Sequence, residues 1–367
     1  MIFIFAACIL VGLLGCRPVA RGTFNKDCLS VRTTTCINGV FVLLVMLSHF
    51  YQYAGGYLVS PADGMYADVR AALGQTVVVT FFFFSGFGIM EQIKKRRQSY
   101  VKTMITHRFL KVLLHFDIAI LIFWVVGMLI GQRDSLPDLL VALTAWSKLS
   151  VGNSNWFIFT TLCMYVAVYI SFMIFRRNDL FALICMTLLT GVYVVLMLNS
   201  VNNASRWYNT VFCFAAGMWL SYFKERAGNF FERYKSAYYP IFVACIGLTA
   251  AVYMICGMLT DVWSALLYNV YSICFVLVII LFAMKFTVGN RVTYWLGKHT
   301  FSIYILQRIP YIVFRYLGLR EVNVWLYFAV CAVSTILIAW VFDLLVGRLD
   351  SIIWRSGLKK PGSAKTT

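Results

Sequence analysis

Charge is scarce in this chain. Only 13% of its residues are Asp, Glu, Lys or Arg, against 61% hydrophobic, and the mean hydropathy is +0.80. One soluble core cannot enclose that much apolar surface within 367 residues. A soluble globular enzyme is therefore excluded, and a membrane protein is implied. Other absences narrow the class further. No CxxC pair and no Cys/His spacing suited to zinc occurs, and the 11 cysteines are odd in number and fall mostly inside apolar runs. That pattern argues against a disulfide framework, a bound metal and redox chemistry. There is no glycine-rich phosphate loop, no internal repeat, and no low-complexity stretch apart from the polar tail GLKKPGSAKTT, whose composition predicts disorder.

What fills the chain is apolar runs near the length, about 17 to 25 residues, that crosses a hydrocarbon layer of roughly 30 Å. Eleven are read, at 1–16, 36–54, 74–90, 112–130, 156–175, 180–198, 207–222, 239–258, 264–286, 299–317 and 324–346. The expected fold is all-α, a polytopic integral membrane helix bundle. The first run is short, and its Leu-Leu-Gly-Cys16 resembles a lipoprotein cleavage box. No basic residue precedes it, so an uncleaved helix is the preferred reading.

A net charge of +18 suggests nucleic acid until the loops are scored alternately. One side then holds 25 of the 32 Lys and Arg residues, while the other carries only Arg70, Arg133, Lys148, Arg206, Arg315 and Arg320, leaving Arg308 inside a run. By the positive-inside rule the basic side is cytoplasmic, the N-terminus external and the C-terminus internal. The cluster Lys94-Lys95-Arg96-Arg97 is accounted for by anionic lipid. The bilayer, not nucleic acid, is the partner this charge implies.

Within this frame a few residues stand out. LVMLSHFYQY places His49 about 20 Å along the second run at 1.5 Å per residue, in the outer half of the membrane. Two readings stand side by side: a histidine bonded to a neighbouring helix or reaching the interface, and a functional group, which intramembrane ionisable residues often mark. In VVVTFFFFSGFGIM, Ser85-Gly86 allow a helix or a ligand to approach the backbone closely. Arg108 and Lys111, three apart, are expected on one face of the entering helix, with His115 a further turn along. Such a cation pair suits phosphate or pyrophosphate. Asn153, Asn155 and Trp156 open the fifth run at the external interface. Arg308 costs about 2.5 kcal/mol or more at mid-membrane and demands a partner, for which Asp117 and Asp343 are the intramembrane carboxylates, while the adjacent Pro310 breaks the helix hydrogen bonding. A structural ion pair and an anion site are both open there.

Taken in order, these stretches resemble the membrane-bound acyltransferase 3 family, the bacterial multi-helix O-acyltransferases. The resemblance runs from about Ser30 to Val346. It rests on INGVFVLLVMLSHF ending at His49, on Phe83-Phe84-Ser85-Gly86, on Arg108 and Lys111 after a basic loop, on Trp156-Phe157, and on the element from Leu296-Gly297-Lys298 to Ser302-Ile303-Tyr304. Three positions depart from the family pattern: Asn38 stands where a basic residue is usual, Lys111 replaces a second Arg, and the proline that commonly follows that pair is absent. Lys keeps the charge but loses the bidentate fork.

The resemblance implies three segments: 1–29, an added N-terminal helix and cytoplasmic linker; 30–346, the ten-helix acyltransferase domain; and 347–367, a cytoplasmic tail. It implies a cytoplasmic acyl-CoA donor, most simply acetyl-CoA, whose phosphates meet Arg108 and Lys111, and an extracytoplasmic glycan acceptor approaching His49 from outside a cell inner or plasma membrane. No metal is implied. Neutral imidazole suits removal of an alcohol proton, which makes His49 the expected general base. Ser85, Gly86, Asn155, Trp156 and Tyr304 are expected to line the passage, and Arg308 to stabilise a developing oxyanion. Direct transfer and an acyl-histidine intermediate both fit. The rival class is a transporter or flippase of a glycan or anionic solute, for which Arg308, Asp117, Asp343 and the Pro310 break are the expected signs. A non-catalytic homologue is a third reading, which the intact His49 disfavours.

Overall fold

The computed structural model describes residues 1–152, 155–201 and 204–354, with Asp261 by its backbone alone; Asn153 and the tail from residue 355 onward lie outside the described residues. The chain is helical almost throughout. Helix α1 (Ile2–Leu13) leads through a short strand β1 (Arg17–Pro18) to α2 (Val31–Ala54), α3 (Pro61–Leu73), α4 (Val79–Arg96), α5 (Gln98–Met104) and α6 (Leu110–Leu129). Next come α7 (Leu136–Leu143), α8 (Trp156–Ile174), α9 (Asp179–Ser200), α10 (Phe212–Arg233), α11 (Tyr238–Cys256) and α12 (Asp261–Lys285). After β2 (Phe286–Thr287) follow α13 (Arg291–Lys298), α14 (Thr300–Leu306), α15 (Arg308–Tyr316), α16 (Leu319–Val322) and α17 (Val324–Trp354). The strands pair antiparallel, Arg17 opposite Thr287, and tie the N-terminal linker to the end of α12.

Among the described residues, 8 helices are long and apolar enough to cross a membrane, Gln98–Leu129 counting as one of them. Helices occupy the other expected runs as well, and each falls short for a physical reason. With 12 residues, α1 reaches only about 18 Å. The second half of α10 carries Lys224, Glu225 and Arg226. The run 299–317 is two helices meeting at Gln307, and Pro310 sits in the first turn of α15, where an N–H has no intrahelical partner to lose. At the C-terminal end, α17 continues past Val346 to Trp354.

Two close helix crossings set the bundle. A Cβ built on Gly39 of α2 would lie 1.9 Å from the Thr293 carbonyl oxygen of α13, and one on Gly297 of α13 would lie 1.9 Å from the Thr35 oxygen of α2. In the same reciprocal way, a Cβ built on Gly86 of α4 would lie 2.0 Å from the Phe214 oxygen of α10, and one on Gly217 of α10 would lie 2.0 Å from the Phe83 oxygen of α4. Lipid tails are as apolar as side chains, so helices in a membrane associate through such close packing rather than through water exclusion. Phe82, Phe83, Phe116, Phe123, Phe172 and Phe214 fill the interior between these pairs.

The short helices α3 and α7 connect longer ones. Each begins with a capping box: the Ser60 hydroxyl accepts from Asp63 N–H at 3.3 Å and Asp63 accepts from Ser60 N–H at 3.2 Å, with Ser135 and Asp138 repeating the arrangement. The Ser135 hydrogen bonds hold the Asp138 carboxyl below the usual carboxylate range.

Candidate functional site

His49 lies one turn and more before the end of α2, at the end of the bundle opposite the basic loops around Arg96. It lines a cavity of about 420 Å³ together with Ser48 and Gln52 of α2, Arg70 of α3, Gln75, Trp156, Ser205, Arg206, Tyr304 and Arg308. The buried Nδ1 makes no hydrogen bond, and Gln307, where α14 meets α15, interacts with the ring. Its ring stands 6.3 Å from that of Tyr304.

Arg308 opens α15 and donates from Nη2 to Gln52 Oε1 at 3.0 Å, with its guanidinium 5.8 Å from the Tyr53 ring and its Nε buried without a partner. Neither expected carboxylate meets it. Asp343 of α17 accepts instead from His299 Nδ1 and the Ser302 hydroxyl, and Asp117 Oδ1 is buried without a hydrogen bond. Both acids lie toward the basic end of their helices, whereas Arg308 lies beyond the α14–α15 break, so a neutral amide holds the guanidinium instead. Arg70 is held in a similar way, its Nε donating to the Ser48 hydroxyl at 3.1 Å and carbonyl at 3.3 Å.

A second cavity, of about 360 Å³, lies toward the basic end. Thr34, Thr35, Asn38, Ser85, Arg108, Thr161, Tyr165 and Lys298 line it, and Tyr304 lines this cavity as well as the first. Ser85 Oγ and Tyr165 OH are 3.3 Å apart. The rings of Phe157 and Tyr304, 5.0 Å apart, form part of the wall, with Trp156 on the His49 side and Phe157 on the other. The sequence expectation that Ser85, Trp156 and Tyr304 gather around one passage thus corresponds to two chambers with a common aromatic partition.

Arg108 and Lys111 have different surroundings. Arg108 is exposed at the edge of the second cavity, whereas Lys111 Nζ pairs with Asp350 Oδ2 at 2.7 Å, and His115 Nε2 meets the other oxygen at 3.0 Å. Between them the chain passes from a π turn, Ile105–Phe109, into α6, so the spacing of an uninterrupted α-helix does not hold there. The cation that accompanies Arg108 is the exposed Lys298, at the end of α13.

Two further expectations are corrected. Gly86 lines neither cavity, because its open side is filled by the α10 backbone. Asn155 lines neither: its side-chain amide donates to the Ser147 carbonyl and holds the start of α8. Conversely, Arg70 and Arg206 were not anticipated as site residues. The signal was present, since both are exceptions on the side poor in cations, where a lone arginine needs a reason.

Chemically, the first cavity offers an imidazole with a free nitrogen among guanidiniums, a group able to take a proton beside groups able to stabilise negative charge. The second offers two cations at the edge of a polar and aromatic chamber. The family model described as an acyltransferase domain, that of acyltransferase 3, matches residues 36–344. No curated protein and no solved structure matches the chain.

Proposed function

The chain belongs to the acyltransferase 3 family and is a multi-pass membrane acyltransferase, and from that premise we propose that it moves an acyl group, most simply acetyl, from cytoplasmic acyl-CoA to a hydroxyl of a cell-surface glycan. The observation that carries this reading is the pair of cavities sharing Tyr304, one with His49 and the other with Arg108 and Lys298. The basic end faces the cytoplasm of a cell inner or plasma membrane, as the asymmetry of Lys and Arg supports. Donor phosphates bind Arg108 and Lys298, and the acyl arm extends past Tyr304, whose ring moves aside, so that the thioester carbonyl enters the His49 cavity. The acceptor hydroxyl enters the opposite cavity.

There His49 takes the hydroxyl proton as the oxygen attacks the thioester carbonyl. Charge develops on that carbonyl oxygen, and Arg308, its orientation held by Gln52, stabilises it in a site of low dielectric. Collapse breaks the carbon–sulfur bond, His49 returns the proton to the departing thiolate, and the products are the O-acyl glycan and CoA.

The test is transfer of labelled acetyl from acetyl-CoA to envelope glycan by the full chain in membranes. Label should require the chain and acetyl-CoA and should fall by about 100-fold or more in His49→Ala, in the range expected for loss of a general base. Full transfer by a correctly inserted His49→Ala would remove the proposed base. Solute movement without acyl-CoA, and no transfer with it, would instead favour a transporter.

A further inference from the structure

Resting on the transferase reading above, we propose that the acceptor is anionic, bearing a carboxylate or a phosphate close to the hydroxyl that is acylated. Among the described residues, the His49 cavity is lined by the guanidiniums of Arg70, Arg206 and Arg308 and by no carboxylate. None of these arginines forms an ion pair among the described residues. Acids are not missing from this end of the bundle: Arg320 there pairs with Glu321 at 2.5 Å. The cavity arginines are fixed by neutral oxygens instead, Arg70 by Ser48 at 3.1 Å and Arg308 by Gln52 at 3.0 Å. Such partners orient a guanidinium without consuming its charge.

Arg70 and Arg308 are half-buried and Arg206 is exposed, and like charges around one partly enclosed cavity repel one another, a cost that a bound anion offsets. Arg308 alone would serve a developing oxyanion, so Arg70 and Arg206 exceed what the chemical step needs. Donor phosphates do not account for them, because the cations suited to the donor line the other cavity, beyond Tyr304. The planar fork of each guanidinium matches carboxylate or phosphate oxygens.

The experiment uses the full chain in nanodiscs and three probes of similar size: methyl glucuronide, glucose 1-phosphate and methyl glucoside. An anionic probe should bind about tenfold or more tightly than the glucoside, the range expected for charge-assisted hydrogen bonds. The gap should narrow from about 0.05 M to 0.5 M salt as screening grows. Arg206→Gln, an exposed position that folding tolerates, and Arg70→Gln should each weaken the anion by about fivefold or more. Whichever anion binds better identifies the group as carboxylate or phosphate.

Equal binding of all three probes, or of none, overturns the inference. With labelled acetyl-CoA added, transfer to the glucoside in preference to the anions also overturns it and leaves the transferase reading standing. Anion binding with no acetyl transfer to any probe supports the anion site and counts against the transferase reading.

Discussion

Removing Lys298 separates two accounts of how the donor is held. Arg108 and Lys298 are the cations lining the cavity on the basic side, whereas Lys111 is turned to Asp350 at 2.7 Å. Lys298 is exposed, so its attraction to a donor phosphate takes the value of a surface pair, about 1 kcal/mol. That corresponds to about a fivefold change in affinity. Lys298→Gln should therefore raise the KM for acetyl-CoA about fivefold with kcat within about twofold, because the lost interaction binds donor and transition state alike. Arg108→Gln with Lys298→Gln should raise it further, to about 25-fold where the two contributions of about 1 kcal/mol are independent; both charges act on one ligand, so a departure from that value measures their coupling. Both variants should lose part of the dependence of KM on salt. Lys111→Gln should change KM by less than about twofold and instead lower thermal stability by up to about 1 kcal/mol, because Asp350 keeps His115. Initial rates of labelled acetyl transfer across a range of acetyl-CoA concentrations decide the matter. A KM raised by Lys111→Gln as much as by Lys298→Gln would refute the division of roles.

Gly217→Ala should destabilise the bundle by about 1 to 3 kcal/mol or prevent its assembly, since its Cβ would lie 2.0 Å from the Phe83 oxygen; Gly228→Ala, which meets nothing within 4 Å, should be neutral or slightly stabilising in the same thermal-unfolding assay. Asp343→Asn should loosen α14 from α17 by about 1 to 3 kcal/mol, because His299 and Ser302 lose a charged acceptor; hydrogen exchange in α14 would report it, and unchanged protection would contradict it. Tyr304→Ala should join the two cavities and let water compete with the acceptor, raising acetyl-CoA hydrolysis relative to transfer. An unchanged ratio would show that Phe157 alone closes the wall.

Much of the architecture was legible because lipid imposes one demand, long apolar helices, that composition reports directly. The division near Pro310 was legible for a similar reason, since proline removes a donor wherever it stands. Ser60 to Asp63 and Ser135 to Asp138 carry the Ser-x-x-Asp signature of a helix start, so α3 and α7 could have been read where only loops were expected. The separation of Arg108 from Lys111 could not, because an i,i+3 argument assumes α geometry and nothing in ITHRF announces a π turn. Nor could the task of Gly86, since a glycine's purpose depends on what approaches it, here an α10 backbone more than 100 residues away by its numbering. His49 was identified by its chemistry. Its arginine neighbours come from three separate segments, and only the folded chain brings them together.

The aromatic wall formed by Phe157 and Tyr304 bears on the energy supply of the cell. A bundle hollowed from both faces is a short circuit for protons and small ions unless something insulating remains at its centre. Phe157 and Tyr304 narrow that path with ring carbons, while the Tyr304 hydroxyl brings a polar atom to it. A membrane crowded with copies of this protein therefore keeps its electrochemical gradient to the extent that the two rings stay closed.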